Sequence, residues 1–181
     1  MLKIGITGHS KGIGKALVDE LYKAGHDIMG FSRSNGFDIT NYDQIAQAVR
    51  DADVFINNAW DNYYQVDLLN AVFDIWRNDE SKMIVNISSM AKYPGLSDNT
   101  SSYTASKAAL SHQALKLMFK TNRKCKIINI NPGFVKTDMV SDKDFPMLTP
   151  EETAQTIAWA INQPKHIEMV EMTFWRPLQI L

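Results

Sequence analysis

A glycine-rich turn near the amino terminus sharply narrows the folds open to this chain. Thr7-Gly8-His9-Ser10-Lys11-Gly12-Ile13-Gly14 stands between an apolar segment, Leu2 to Thr7, and the helix-like run Lys15-Ala-Leu-Val-Asp-Glu-Leu. Glycine permits the tight turn, lets backbone approach a pyrophosphate with no Cβ in the way, and allows helix and strand to pack closely. The helix N-terminus that follows presents free N–H groups to an anion. Three glycines could serve packing alone, but their place at the first strand-to-helix junction predicts a dinucleotide cradle built from Gly8, Ser10, Lys11, Gly12, Ile13 and Gly14.

Beyond the turn, short apolar segments alternate with longer amphipathic ones, the pattern of βαβ units on a parallel sheet. Strands are predicted near Leu2 to Thr7, Asp27 to Ser32, Val54 to Asn57, Met83 to Ser88, Lys126 to Asn131 and Glu168 to Phe174, with a very short one at Phe37-Asp38. Helices are predicted near Ile13 to Ala24, Tyr42 to Arg50, Tyr63 to Arg77, Ser102 to Lys120 and Pro150 to Asn162. The expected fold class is α/β: a three-layer, doubly wound Rossmann fold with a mostly parallel sheet of six to seven strands. A chain of 181 residues, 45% of them hydrophobic, is expected to form one dinucleotide-binding domain over residues 1–181.

Charge and targeting signals exclude several functions. With 19 basic and 20 acidic residues spread along the chain and a net charge of −1, neither a nucleic-acid surface nor an anionic-membrane arm is expected. No apolar run approaches the ~20 residues of a bilayer span. The lone Cys125 cannot form an internal disulfide, and no leader pattern precedes the first strand, so a cytoplasmic protein is expected. The histidines His9, His26, His112 and His166 lack metal-ligand spacing, and no metal is expected.

The chemistry-bearing residues cluster at predicted strand ends. Tyr103 and Lys107 stand four apart in a helical pattern, so their side chains share one face. That spacing is weak evidence alone, but Ser89 ends the preceding strand at the carboxyl edge of the sheet, where ligands of open α/β folds bind. Reduction of a carbonyl needs a group that gives a proton to oxygen as hydride arrives. A phenol with an ordinary pKa near ~10 would act best near neutrality if lowered by about 3 units, and a neighbouring ammonium has the right sign. At the end of the second predicted strand an acid would select NAD and a basic residue NADP. Ser32 and Arg33 stand there: a carboxylate is missing, and a guanidinium can fork onto a phosphate. NADP(H) is therefore the preferred cofactor, with NAD(H) possible.

The spacing Thr-Gly-x-x-x-Gly-x-Gly resembles that of the short-chain dehydrogenase/reductase family, and further matches follow in family order along the whole chain. They are Asp38-Ile39-Thr40, Asn57-Asn58-Ala59, Asn86-Ile87-Ser88-Ser89, Tyr103-Thr-Ala-Ser-Lys107 and Asn131-Pro132-Gly133-Phe-Val-Lys-Thr137. The resemblance implies an NADP(H)-dependent oxidoreductase moving a hydride between cofactor and a carbonyl or alcohol substrate, with Tyr103 as acid/base. It implies that Lys107 also holds the nicotinamide ribose and that Ser89 hydrogen-bonds the substrate oxygen. It adds Lys11 as a second basic residue toward a 2′-phosphate and Asp38 with Ile39 toward adenine. Asn58, Ala59, Pro132, Gly133, Val135 and Thr137 complete the implied cofactor contacts.

Three places depart from the family pattern. Trp60 follows Asn57-Asn58-Ala59 where glycine is usual, the stretch from Trp60 to Ser89 is short, and the segment after Thr137 that forms a lid in relatives is brief. The family's helix asparagine aligns with Asn62 or Asn70, or is replaced by Asp67. A catalytically idle NADP(H)-binding regulator with the same fold is the alternative function. The apolar run from Tyr63 to Trp76 covers more than one helical face, which predicts a homodimer or larger homo-oligomer. Met90, Tyr93, Pro94, Leu96, Phe134, Met139, Phe145 and Met147 are candidates for an open, apolar substrate mouth.

Overall fold

A computed structural model describes residues 1–95, 102–140 and 145–177. Six strands follow the predicted runs closely: β1 (Lys3–Thr7), β2 (Asp27–Phe31), β3 (Val54–Asn57), β4 (Met83–Ile87), β5 (Lys126–Pro132) and β6 (Glu171–Phe174). Five helices connect them: α1 (Gly12–Lys23), α2 (Tyr42–Ala48), α3 (Tyr64–Trp76), α4 (Ser102–Met118) and α5 (Pro150–Ile161). All neighbouring strands pair parallel, in the order β2-β1-β3-β4-β5-β6. The chain leaves β1 toward one edge and returns across it to build the other, so β1 and β3 flank the point where the order reverses. In open α/β sheets that point opens the ligand crevice at the carboxyl ends of the strands.

Helices cover both faces of the sheet, making the α/β class and three layers expected from the alternation. Ile4, Ile6, Val54, Ile56, Val85, Ile87, Ile128 and Ile130 point to one face, where Leu17 and Leu21 of α1 and Ala154, Ile157 and Ile161 of α5 close over them. Phe55, Ile84 and Ile127 point to the other, against α2, α3 and α4. Strand side chains alternate between faces, so neighbours in sequence feed two separate cores. α5 starts on Thr149, whose hydroxyl accepts from Glu152 N while the Glu152 carboxylate accepts from Thr149 N, with Pro150 in the first turn. This reciprocal arrangement satisfies two otherwise orphaned N–H groups.

Two expectations change. Phe37-Asp38 forms no strand: Phe37 instead sets its ring edge-on to Phe31, 4.9 Å between centroids. Its backbone closes a turn instead, with Phe37 N donating to the Ser32 carbonyl at 3.0 Å. The second apolar face of α3 is largely used within the chain, because Val66, Ala71 and Ile75 pack onto the same core as its buried stripe. Tyr63 and Tyr64 at its start remain exposed.

Candidate active site

The site is assembled where β1, β3, β4 and β5 end. After β1 the chain turns with Gly8 and Gly12 at φ +68° and +55°, the left-handed region that favours glycine. A Cβ on Gly14 would lie 2.1 Å from the Gly8 carbonyl oxygen, so α1 can approach the turn only because no side chain is there. Lys11 lies extended ahead of α1, no side chain caps that helix, and its first turn carries no acid. The turn is thus a concave run of backbone ending in uncapped N–H groups, which fits a pyrophosphate. Thr7 ties it to β3: its Oγ1 accepts from the N–H groups of Asn58 and Ala59 at 2.9 and 3.0 Å. The Asn58 amide donates to the Thr7 carbonyl at 2.9 Å, so its side chain braces the turn.

The residues expected around an adenosine lie beyond β2 and beside the turn. Ser32 and Arg33 follow β2, with Arg33 exposed. Ser32 N donates to Asn35 Oδ1 at 2.9 Å and its hydroxyl pairs with that of Ser34 at 2.7 Å, so a short turn displays Arg33. Lys11 reaches Asp138 at 3.5 Å with both side chains largely exposed, an arrangement that contributes little energy. Asp38 Oδ1 accepts from the backbone N–H and hydroxyl of Thr40, each at 2.9 Å. Those bonds, with a smaller contribution from Arg33, hold its carboxyl below the usual range against slight desolvation. Ile39 is a core residue. Ile13 lies in the first turn of α1, and its side chain packs on the α1–α5 core.

The residues after β5 close the far side. Pro132 ends the strand, and Gly133 N donates to the Phe174 carbonyl at 2.8 Å. A Cβ on Gly133 would meet Trp175 at 2.6 Å, so Trp175 lies directly over this glycine, with Met90 beside it. Val135 is buried and bridged to Leu148, and Thr137 comes within 3.3 Å of where a Gly12 Cβ would sit. The post-β5 segment therefore touches the glycine turn. Of the residues expected at an apolar mouth, Phe134 and Phe145 pack edge-to-face at 4.8 Å, and Tyr93, Phe134 and Met139 are exposed. Leu96 lies outside the described residues.

Ser89, Tyr103 and Lys107 come together at the end of β4 and the start of α4. The Ser89 and Tyr103 hydroxyls are hydrogen-bonded, and Ser89 Oγ also accepts from Ala91 N at 3.1 Å. Lys107 Nζ lies 5.6 Å from the centre of the Tyr103 ring. It is 3% exposed and donates to Gln65 Oε1 at 2.9 Å and to the Ile87 carbonyl at 2.8 Å. Trp60, where the family pattern has glycine, stacks edge-on to Tyr103 at 5.1 Å and donates from its indole N–H to Ser106 Oγ at 2.9 Å. The large ring thus fixes one side of the phenol.

Electrostatics at the site differ from the expected lowering of the phenol. Burial pushes Tyr103 above its ordinary value, and the Ser89 bond only partly offsets this. Burial also pushes Lys107 down from 10.5 to about 7, so near neutrality it is not a permanent cation beside the phenol. Without a bound cofactor, Tyr103 keeps its proton at neutral pH.

None of the candidates for the family's helix asparagine is among the hydrogen-bond partners described for Lys107. Asn62 accepts from Ser102 Oγ and donates to Asp61, Asn70 accepts from Gln113, and Asp67 lies in the first turn of α3. Gln65 is the side chain from α3 that contacts Lys107, at 2.9 Å, and it is a residue the sequence pattern did not single out. Its signal was present: Gln65 is the polar member of the α3 stripe Leu68, Leu69, Val72, Phe73 and Trp76.

A doubly wound parallel sheet with a glycine turn after β1 and a serine, tyrosine and lysine grouped at its carboxyl edge defines a dinucleotide-binding class of fold. Comparison with known proteins makes this specific. The short chain dehydrogenase family matches residues 36–146, and the chain belongs to that family of oxidoreductases. An uncharacterized oxidoreductase of Staphylococcus saprophyticus is 29% identical over 140 residues, spanning 71% of this chain and 58% of that relative. One of Staphylococcus epidermidis is 26% identical over 96% of each chain. Solved structures share the fold. Serine dehydrogenase from Escherichia coli has a TM-score of 0.78 at 19% identity, covering 97% of this chain and 98% of that one. A short chain dehydrogenase from Burkholderia cenocepacia in complex with NADP has 0.79 at 22%, covering 94% and 87%. The NADH complex of 3-alpha-hydroxysteroid dehydrogenase from a Pseudomonas species has 0.77 at 21%, covering 94% of each. Among the described residues no helix is long and apolar enough to cross a membrane.

Proposed function

We propose that this protein is an NADP(H)-dependent reductase or dehydrogenase of carbonyl and alcohol substrates, with Tyr103 as its acid/base. The observation that carries this reading is the hydrogen-bonded Ser89–Tyr103 pair beside Lys107, at the sheet edge that also carries the glycine turn. When bound, the cofactor supplies or accepts the hydride. In the reducing direction Tyr103 gives its phenolic proton to the substrate oxygen, leaving an alcohol and a phenolate. In the oxidising direction a phenolate takes that proton back. Ser89 donates to the same oxygen and holds it beside the phenol. Burial keeps the phenol protonated in the resting site, which suits the proton-donating direction. Lys107, in its protonated form, would stabilise the phenolate and bind the nicotinamide ribose.

The cofactor would lie across the carboxyl ends of β1 and β3, its pyrophosphate on Gly8, Ser10, Gly12, Ile13 and Gly14. Asn58, Ala59, Pro132, Gly133, Val135 and Thr137 would border its middle and nicotinamide end, and Asp38 and Ile39 its adenine. Preference for NADP(H) is supported by Ser32 and exposed Arg33 after β2, where an acid would repel a 2′-phosphate, and by Lys11 in the glycine turn. Asp138 competes for Lys11, but an exposed pair is readily exchanged.

The test is a screen of aldehydes, ketones and alcohols against NADPH and NADP+, followed by the absorbance of the reduced nicotinamide. Turnover faster with the phosphorylated cofactor is expected. NADPH binding without turnover of any substrate would favour the idle regulator, and failure to bind either dinucleotide would refute the whole reading.

A further inference from the structure

Gln65 is 2% exposed at the head of an otherwise apolar stripe. Burying an amide is costly unless its groups are paired, and here they are. Its Nε2 donates to the carbonyls of Asn57 and Ile87 at 2.6 and 3.1 Å, and its Oε1 accepts from Lys107 Nζ at 2.9 Å. Two carbonyls can only accept and an ammonium can only donate, so the network permits one orientation of the amide. Asn57 returns the contact: its Nδ2 donates to the Gln65 backbone carbonyl at 2.9 Å and to Asn86 Oδ1 at 3.1 Å. Asn57 and Asn86 face each other in register on β3 and β4. The amide that touches Lys107 is therefore anchored to the sheet itself.

Protonated, Lys107 has three N–H donors. The Ile87 carbonyl takes one and Gln65 Oε1 another, leaving a third. The groups against the amine are Gln65 from α3, Ile87 from β4 and the Tyr103 ring from its own helix, and of these Tyr103 alone titrates. Both bonded acceptors are neutral, so how readily the buried amine keeps its proton depends on how well they are held in place.

We propose that Gln65 is a positioning residue that fixes the Lys107 amine and supports its protonated form, so that one N–H remains for the cofactor ribose. The catalytic consequence rests on the function proposed above, whereas the effect on Lys107 does not.

The experiment follows the titration of Lys107 by NMR in protein labelled with 13C at the lysine ε carbon, without cofactor, using Lys107→Met to assign the signal. Gln65→Met keeps the volume and removes the acceptor, and Gln65→Asn keeps an amide but withdraws it by one methylene. Each should lower the Lys107 titration point by about one pH unit, the size of a lost hydrogen bond to a charged group. The pH profile of turnover should move in the same direction. A Lys107 titration point unchanged in either folded variant would overturn the proposal. Because that readout uses neither cofactor nor substrate, its failure is distinct from failure of the wild-type protein to reduce any carbonyl.

Discussion

If Lys107 is a desolvated amine, folding stability must carry its titration. Burial places its folded pKa at about 7 against 10.5 for an ordinary lysine. Below pH 7 the amine is charged in both states, and the folded protein bears the whole cost of burying that charge. As pH rises through 7 the folded state sheds its proton while the unfolded chain keeps its own until about pH 10.5, so the cost is progressively relieved. At about 1.4 kcal/mol per pH unit the full cost is on the order of 5 kcal/mol. Of this, about 2 kcal/mol should be relieved between pH 7 and 9. Lys107→Met has no proton to lose. It also leaves Gln65 Oε1 without its donor, but that offset does not vary with pH. Urea unfolding of both proteins without cofactor should show wild type gaining about 2 kcal/mol on the variant from pH 7 to 9 and little between pH 5 and 6.5. A difference flat up to pH 9 would mean that Lys107 titrates as an ordinary lysine and would refute the reasoning.

Three further outcomes follow from the cofactor site and the surface. Arg33→Asp removes a charge-assisted bond and adds repulsion, so NADPH affinity measured by fluorescence titration should fall at least about tenfold while NADH changes less; equal losses would refute direct phosphate recognition. Gly14→Ala places a Cβ 2.1 Å from the Gly8 carbonyl, so dinucleotide binding should be lost by calorimetry, and an unchanged dissociation constant would contradict the packing described. What α3 still leaves exposed is Tyr63 and Tyr64 at its start; if they bury against a second copy, light scattering at micromolar concentration should show a homo-oligomer, and a monomeric mass would reject that expectation.

Much of the fold could be read from the chain because hydrophobic period and glycine placement are local signals. β3 runs from Val54 to Asn57 as predicted, and the other strands differ mainly at their ends, where one or two hydrogen bonds decide whether a residue still belongs to the ladder. β6 is shorter than the apolar run suggested, since only Glu171–Phe174 pair with β5. Phe37 was misleading because an aromatic beside an acid suits a strand edge as well as a ring contact. At the site, Ser89, Tyr103 and Lys107 were legible as types at strand ends and helical spacing. Gln65 was marked only as the polar member of an apolar stripe; its role comes from α3 crossing above β3 and β4, a relation between segments distant in sequence. The rise of the Tyr103 pKa was equally hidden: spacing reveals a nearby lysine, but not that burial acts on both groups. Asp138 beside Lys11 depends on the post-β5 segment returning to the glycine turn, which no local pattern records.

Tyr103→Phe tests the central claim most directly, because it keeps the ring against Trp60 and deletes only the hydroxyl bonded to Ser89. On any carbonyl that the wild-type protein reduces, turnover with NADPH should fall by about 10²- to 10⁴-fold, the usual loss for a general acid, while NADPH binding is retained. Wild-type turnover in this variant would show that another group delivers the proton and would contradict the assignment.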